Sequence, residues 1–461
     1  MNDSRLPSKS VFAAAAALST HGVSSRNVSH SDICIVGNGA IGKTAALGLA
    51  QAGLTVTLLA APSGVSVSDP SGASTANGAP PNLSLQVESH RSGDSAAWDP
   101  RVYALNHVAR SLLSGLKVWD ALDDSRVAPV ESMLVKGGAE ANAGSISFDA
   151  FSARTGALAW IVEDRNLNQA LDAALKFAHN VRVVRGRAQQ MLVSDAVGGG
   201  DGAGKGGVTL TLQDGSLLTA ALLVGADGAQ SWVRHQCDIG IDYRSYHQRA
   251  IVANFETTLP HHDVAHQWFT AEEGIVALLP LPGQRVSLVW SAPESLAPTL
   301  LRESLTQLAE RLSALAGAQL GQLTPLQPES VQSFPLALIR SHALVAPRVA
   351  LIGDAAHVVH PLAGQGMNLG FGDVTALIKV LAERGPHRDC GDTAVLAKYA
   401  RSRKEEILLM QLATDGLERL FGLDIAPLRL ARNVGLNLLD RLPVLKRRLM
   451  GHAFGRTFEK N

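Results

Sequence analysis

The chain has 461 residues, 46% of them hydrophobic and 18% charged, and its 41 basic and 41 acidic side chains leave a formal net charge of zero. That length predicts two or three domains rather than one core, and the balanced charge gives no electrostatic footprint for nucleic acid. Three widely spaced cysteines, Cys34, Cys237 and Cys390, form no CxxC pair, which argues against a disulfide framework or zinc site and for a reducing compartment. No apolar run reaches the roughly 18 residues of a membrane-spanning helix.

In chain order, residues 1–30 carry Arg5, Lys9 and Arg26, the run Ala13 to Ala17, many serines and only Asp3 as an acid. They read as a disordered extension, with an organelle-targeting or secretory segment as the alternative. Asp32 to Ala60 reads as a strand, the turn Gly37-Asn38-Gly39-Ala40-Ile41-Gly42, an alanine- and leucine-rich helix and a second strand. The Ser-, Pro-, Gly- and Asn-dense stretch 62–98 is predicted to be a flexible insertion. Arg187 to Val193 and Val208 to Gln213 read as paired strands around a solvated glycine-rich tip, a phosphate loop being the weaker alternative. Leu222 to Gly228 is an apolar strand ending in Gly225-Ala226-Asp227-Gly228. Val276 to Leu279 and Arg285 to Trp290 are predicted strands around Pro282-Gly283. Residues 348–373, RVALIGDAAHVVHPLAGQGMNLGFGD, run from a short strand through Gly353-Asp354 into a proline- and glycine-rich loop that opens a helix. From residue 395 the chain reads as helical. Within it, Leu430, Val434, Leu438, Leu442, Leu445 and Leu449 recur at helical spacing among Arg429, Arg432, Arg441, Lys446, Arg447 and Arg448.

The glycines make mechanical sense around a dinucleotide. Gly37 serves the tight turn, Gly39 lets backbone touch a pyrophosphate, and Gly42 permits close helix packing. A carboxylate at Asp354 can bind a chain of hydroxyls, and backbone N–H groups at the start of the next helix can approach an anionic ring system. Ribityl and isoalloxazine groups suit that pair better than a nicotinamide does.

The order GxGxxG, GADG, GDAAHxxxPLAGQGMNLGxxD resembles the class A flavoprotein aromatic hydroxylases, and HPLAGQGMNLGFGDV is similar to their ubiquinone-biosynthesis subfamily. Asp99 to Leu105 leading to Trp119, Ile161 to Arg165, Ala277 to Leu281, and Tyr399 to Arg403 extend the likeness. One departure is Ala60, where the family usually has an acid for the adenosine ribose; weaker adenosine recognition is the expectation. The resemblance implies an α/β fold like that of para-hydroxybenzoate hydroxylase: a Rossmann-like FAD-binding domain, a sheet-rich substrate domain and a helical C-terminus. The corresponding segments are 31–125, 155–235 and 340–385 for FAD, 126–154 and 236–339 for substrate, and 386–461 for the helical region.

It further implies non-covalent FAD, NAD(P)H as a transient co-substrate, and O2-dependent hydroxylation of a polyprenylated phenol through a flavin C4a-hydroperoxide. Gly37, Gly39 and Gly42 are the pyrophosphate candidates, against a plain tight turn. Gly353 and Asp354 are the ribityl candidates, with a helix N-cap as the alternative role. Arg101 takes the family position that contacts cofactor phosphate or ring edge, against a solvated charge. Asp227 is a candidate for cofactor or nicotinamide contact, against a turn-former. Pro361, Gly364, Gly366, Met367 and Asn368 form the flavin-facing loop, where a side chain at Gly366 would displace backbone donors. His357 and His360 are assigned neither as general base nor as metal ligands, since no carboxylate or cysteine cluster completes a metal set. Rival readings are a hydroxylase or epoxidase of another substrate, a flavoprotein reductase, and a non-catalytic scaffold. Expected surroundings are the cytoplasm at the inner membrane, or the matrix side of the mitochondrial inner membrane, with peripheral membrane contact, a ubiquinone-biosynthesis complex or a homo-oligomer left open.

Overall fold

A computed structural model describes residues 28–61, 98–138, 144–194, 206–270, 272–326 and 331–422. Residues 1–27 of the N-terminal extension, nearly all of the 62–98 insertion, the glycine-rich tip and the basic apolar segment 427–454 lie outside these residues; Val28 to His30, read as the end of the extension, instead open the first strand, held by pairing with Leu217 to Thr219.

The first sheet is built on parallel strands, and its central stretches Ile33 to Val36, Leu222 to Val224 and Val349–Leu351 are apolar without alternation, as burial on both faces requires. Val28–Val36 lies between Leu217–Gly225 and Val56–Ala60, with Val349–Leu351 and Val181–Arg185 completing the parallel ladder. Ile33 and Ile35 are completely buried. The predicted hairpin is present as Ala188–Ser194 against Gly207–Leu212, antiparallel and joined to Leu217–Gly225. Helices Ala40–Gln51 and Gln365–Ala382 cover this sheet together. Their approach is close because Gly48 has no side chain: a Cβ there would stand 2.2 Å from Ile378 Cδ1.

The second, nine-stranded sheet is mostly antiparallel. Gly274–Leu281 and Arg285–Pro293 pair around the predicted turn, where Gly283 takes φ +78°. The 17-residue strand Ile241–Thr257 is central and breaks register between Ser245 and Gln248. One face packs on helix Leu305–Leu320, which begins with a Ser304/Gln307 capping box and buries Leu308, Leu312 and Ala316 against Trp268 and Trp290. The other face is turned toward the first sheet.

Two boundaries differ from the segment reading. Val127–Val130, read as substrate domain, pairs with Ala159–Glu163 in a separate three-stranded sheet with Val102–Leu105. His357–Val358, read as FAD domain, adds to the nine-stranded sheet beside Ile339 and Arg340. Hydrogen-bond pairing, which composition does not reveal, therefore laces the two bodies together at the segment that follows Asp354. Thr393–Gly422 is one long helix.

Candidate active site

The three glycine-bearing strand ends meet at one edge. Val36 is level with Gly225, and Gly225 with Leu351, so the turns leaving them share the carboxyl end of the parallel sheet, where open α/β sheets bind ligands. The Gly37 turn takes φ +113° and lies so close to its neighbour that a Cβ would stand 2.2 Å from the Ala226 carbonyl oxygen. A Cβ at Gly42 would stand 2.0 Å from the Gly37 carbonyl oxygen. Gly39 is different: nothing lies within 4 Å of its Cβ position, and it borders a cavity of about 490 Å³. Gly37 and Gly42 thus shape the turn, and Gly39 exposes the helix start to a ligand.

Asp354 borders the same cavity, and no group among the described residues donates a hydrogen bond to it. The N-cap alternative is absent, because the short 3-10 turn Gly353–Ala355 has no side-chain cap. Asp354 is exposed to the cavity; the protein packed around it raises its pKa, while His357 and Arg101 act in the opposite direction. Arg101 opens into the cavity and has no carboxylate within ion-pair distance among the described residues; Tyr103, Asp164, Asp354 and Asp99 favour its charged form. Tyr103 donates to Asp164 at 2.7 Å, and Asn168 donates to the same oxygen at 2.8 Å. Asp164 and Asn168 therefore belong to the polar end of the site. The Ile161 to Arg165 match contains Asp164 without giving it a role and ends before Asn168.

The structure moves two assignments. Asp227 Oδ1 accepts from Ser231 Oγ at 2.5 Å and Oδ2 from the Val233 N–H at 3.0 Å, while Ala226 and Gly228 form the cavity wall. Its carboxylate organises the following turn. Asn368 borders the cavity, but its side chain accepts from the Asn106 N–H at 2.9 Å and donates to the Ala104 carbonyl at 2.8 Å. It clamps the loop to the strand Val102–Leu105, leaving the backbone of the first helical turn to face a ligand. The Gly366 and Met367 N–H groups lie in that turn, where no intrahelical carbonyl is available. Pro361 and Gly364 border the cavity as well.

Steric intolerance in the loop belongs to Gly364 rather than Gly366. Gly364 takes φ +66°, and its Cβ would stand 3.0 Å from Ala104 Cβ; at Gly366 the nearest atom would be Val359 Cγ2 at 3.9 Å. Any conflict at Gly366 must come from a bound group.

Behind the Gly353 turn sits a buried charge network that motif reading did not assign. Asp373 is completely buried and accepts from the Gly353 N–H at 2.9 Å and Arg403 Nε at 2.8 Å, with His357 Nε2 at 2.7 Å. Arg403 also donates to the Leu369 carbonyl at 3.1 Å. His360 is buried beside Tyr246, with Nε2 3.0 Å from Gln248 Oε1; burial lowers its pKa to about 3. Its neutral ring is a packing element. Cys34 is equally inert, its thiol pushed up to about 12 by burial.

Away from the polar end the cavity is apolar, bordered by Met133, Val252, Ala277, Leu279, Val289 and Phe334. The residues present fit FAD: an open helix start at Gly39, a carboxylate at Asp354 without a donor among the described residues, a cation at Arg101 and the first-turn N–H groups of Gly366 and Met367.

Comparison with known proteins agrees. The model of an FAD binding domain matches residues 200–409. Ubiquinone hydroxylase UbiL of Rhodospirillum rubrum is 34% identical over 92% of this chain and 89% of its own length. The 3-demethoxyubiquinol 3-hydroxylase of Escherichia coli is 33% identical over 92% and 98%. Among solved structures, p-nitrophenol 4-monooxygenase PnpA of Pseudomonas putida superposes with a TM-score of 0.67 at 19% identity, covering 94% of this chain and all of that one. Klebsiella pneumoniae HpxO complexed with FAD and uric acid gives 0.65 at 19% identity, covering 91% and 97%; both likenesses speak to the fold. The chain belongs to the FAD-dependent monooxygenase family whose members include the ubiquinone-biosynthesis hydroxylases.

Proposed function

We propose that this enzyme hydroxylates the ring of a prenylated phenol in ubiquinone biosynthesis, with NAD(P)H and O2 as co-substrates. The observation that carries the reading is the continuity of one cavity from the Gly39, Arg101 and Asp354 end to an apolar floor on the second sheet. An aromatic ring with an apolar tail fits such a floor. The flavin, when bound, supplies O2 activation and transfer of one oxygen atom to the ring. The chain's own work is binding and exclusion. Arg101 and the Gly39 helix start hold phosphate charge, Asp354 accepts from ribityl hydroxyls, and the Gly366 and Met367 N–H groups stabilise negative charge on the ring system. Valine, leucine and phenylalanine side chains keep water from the reacting carbon.

Incubation of the FAD-loaded protein with NAD(P)H, ¹⁸O2 and a 2-prenylphenol is expected to yield a hydroxylated ring carrying one labelled oxygen. A reductase would oxidise NAD(P)H without labelled product, and a scaffold would carry no flavin; either result rejects the proposal. Asp354→Ala should raise the FAD dissociation constant roughly ten- to hundredfold, the equivalent of about 1.5–3 kcal/mol for a hydrogen bond to a charged group. Fluorescence titration of apoprotein with FAD gives the answer, and an unchanged constant would remove Asp354 from the ribityl role. Denaturation should release the flavin free of the chain.

We also infer peripheral membrane contact through the basic apolar segment 427–454. No helix among the described residues is long and apolar enough to cross a membrane. Leu408, Leu409 and Leu412 are exposed on the helix leading toward that segment, Leu412 by 61%. Each basic residue near an anionic surface contributes about 1 kcal/mol. Truncation after Gly422 should leave a folded, FAD-loaded protein that no longer sediments with phosphatidylserine vesicles. Aggregation of the truncated protein, or a change only in its oligomeric state, would assign the segment to the protein's own core or to a second copy instead.

A further inference from the structure

The cavity floor contains a polar side chain, Gln267, with no part in the flavin end. Gln267 lies on Val264–Thr270, level with Ala277 on one neighbouring strand and Val135 on the other. Strand alternation puts Ala265, Gln267 and Phe269 on one face and His266 and Trp268 on the other. The Gln267 face is the cavity face. Ala277 lies opposite Val289, and Val289 opposite Val252, and all three border the cavity. Phe269 on the same face packs with Leu362 of the glycine-rich loop. His266 also borders the cavity, but its ring stacks on Trp268 at 5.6 Å, on the side of helix Leu305–Leu320.

Gln267 is 4% exposed, yet its carboxamide has no hydrogen-bond partner among the described residues. It is absent from the polar atoms that are both unpaired and sealed from space, so its amide opens toward the cavity it borders. An amide set among Ala265, Ala277 and Val289 is costly unless something occupies the cavity to pair with it. Leu or Met would fill the same floor at no such cost.

We propose that the Gln267 carboxamide hydrogen-bonds the ring oxygen of the substrate and so selects which ring carbon is presented to the flavin. The assignment rests on the phenol reading above. An apolar floor holds the ring in a plane but leaves it free to rotate within that plane. One directional contact at a ring oxygen removes this freedom, and misorientation would release peroxide in place of product.

The test uses FAD-loaded protein and a matched pair of probes, a 2-prenylphenol and the corresponding prenylbenzene, with binding read from the flavin absorption change. Wild type should bind the phenol about tenfold more tightly, the value of one satisfied hydrogen bond against an unpaired amide. In Gln267→Met the preference should fall to within about twofold, chiefly through weaker phenol binding, and the fraction of NAD(P)H electrons appearing as peroxide should rise. FAD affinity should stay at the wild-type value. Gln267→Leu repeats the comparison if the methionine variant fails to accumulate. A preference retained in the variants would overturn the role of Gln267 while leaving the phenol reading intact. Equal binding of both probes by wild type would overturn both.

Discussion

Asp373→Ala is expected to destabilise the protein by about 3–5 kcal/mol, the cost of removing one member of a buried ion-pair network and stranding the others. The carboxylate is completely buried and holds Arg403, His357 and the Gly353 N–H at once. Among the described residues its removal leaves the guanidinium with Glu406 and the Leu369 carbonyl, and frees the turn that carries Asp354. Urea denaturation of wild type and variant measures the loss, and FAD affinity should fall with it. Burial alone would raise the Asp373 pKa, but His357 and Arg403 outweigh it and hold the group below the usual carboxylate range. A depressed folded-state pKa contributes stability that is complete above the unfolded value of about 3.9 and is lost as pH falls from there through the folded value. The stability of Asp373→Asn should therefore depend less steeply on pH below about 4. Equal urea midpoints for Asp373→Ala and wild type would show that the network adds nothing to the fold.

Gly364 and Gly366 should separate fold from flavin. Gly364→Ala forces a side chain into a left-handed backbone, at about 1–2 kcal/mol, and presses it on Ala104. The apoprotein itself should be less stable, because the first turn of helix Gln365–Ala382 must shift. The Cβ of Gly366→Val meets only Val359, across 3.9 Å, and its methyls extend from there toward the cavity that Gly366 borders, so the apoprotein should melt within a few degrees of wild type. Its FAD affinity and flavin reduction should nevertheless fall by at least about tenfold, because the side chain fills the space in front of the Gly366 and Met367 N–H groups. Melting curves of apoprotein beside FAD titrations decide the matter. A Gly366→Val protein with normal FAD affinity would place the flavin elsewhere; a Gly364→Ala apoprotein as stable as wild type would refute the strain argument.

Much of this site was legible because it is written in backbone requirements. Gly37 must turn at positive φ, Gly42 must let a helix touch that turn, and Gly39 must leave the helix start bare. Local conformation of that kind depends on neighbours in sequence, so the motif carries it. The hairpin around Pro282-Gly283 was legible for the same reason, since turn chemistry and alternating strands are local.

The role of Asn368 was not, and that of Asp227 was left between a ligand contact and the turn it forms. Both stand beside glycines in a motif, and a motif does not say whether a carboxylate or amide points at a ligand or at neighbouring backbone. In the fold each is used up by hydrogen bonds, Asp227 to Ser231 and Val233, and Asn368 to Ala104 and Asn106.

By itself, then, the sequence determined the positions of three glycine turns, because these follow from steric rules acting over a few residues, while the flavin-binding class and the pair of sheet-containing domains followed from the resemblance those motifs carry. Tertiary structure alone decided that those turns share one edge, that Arg403 reaches across 30 residues to the Asp373 carboxylate, and that the His266 ring stacks on Trp268 while Gln267 shares a sheet face with Ala277 and Val289 at the cavity. Those outcomes depend on register and on the burial of charge, quantities set by packing between segments that are distant along the chain.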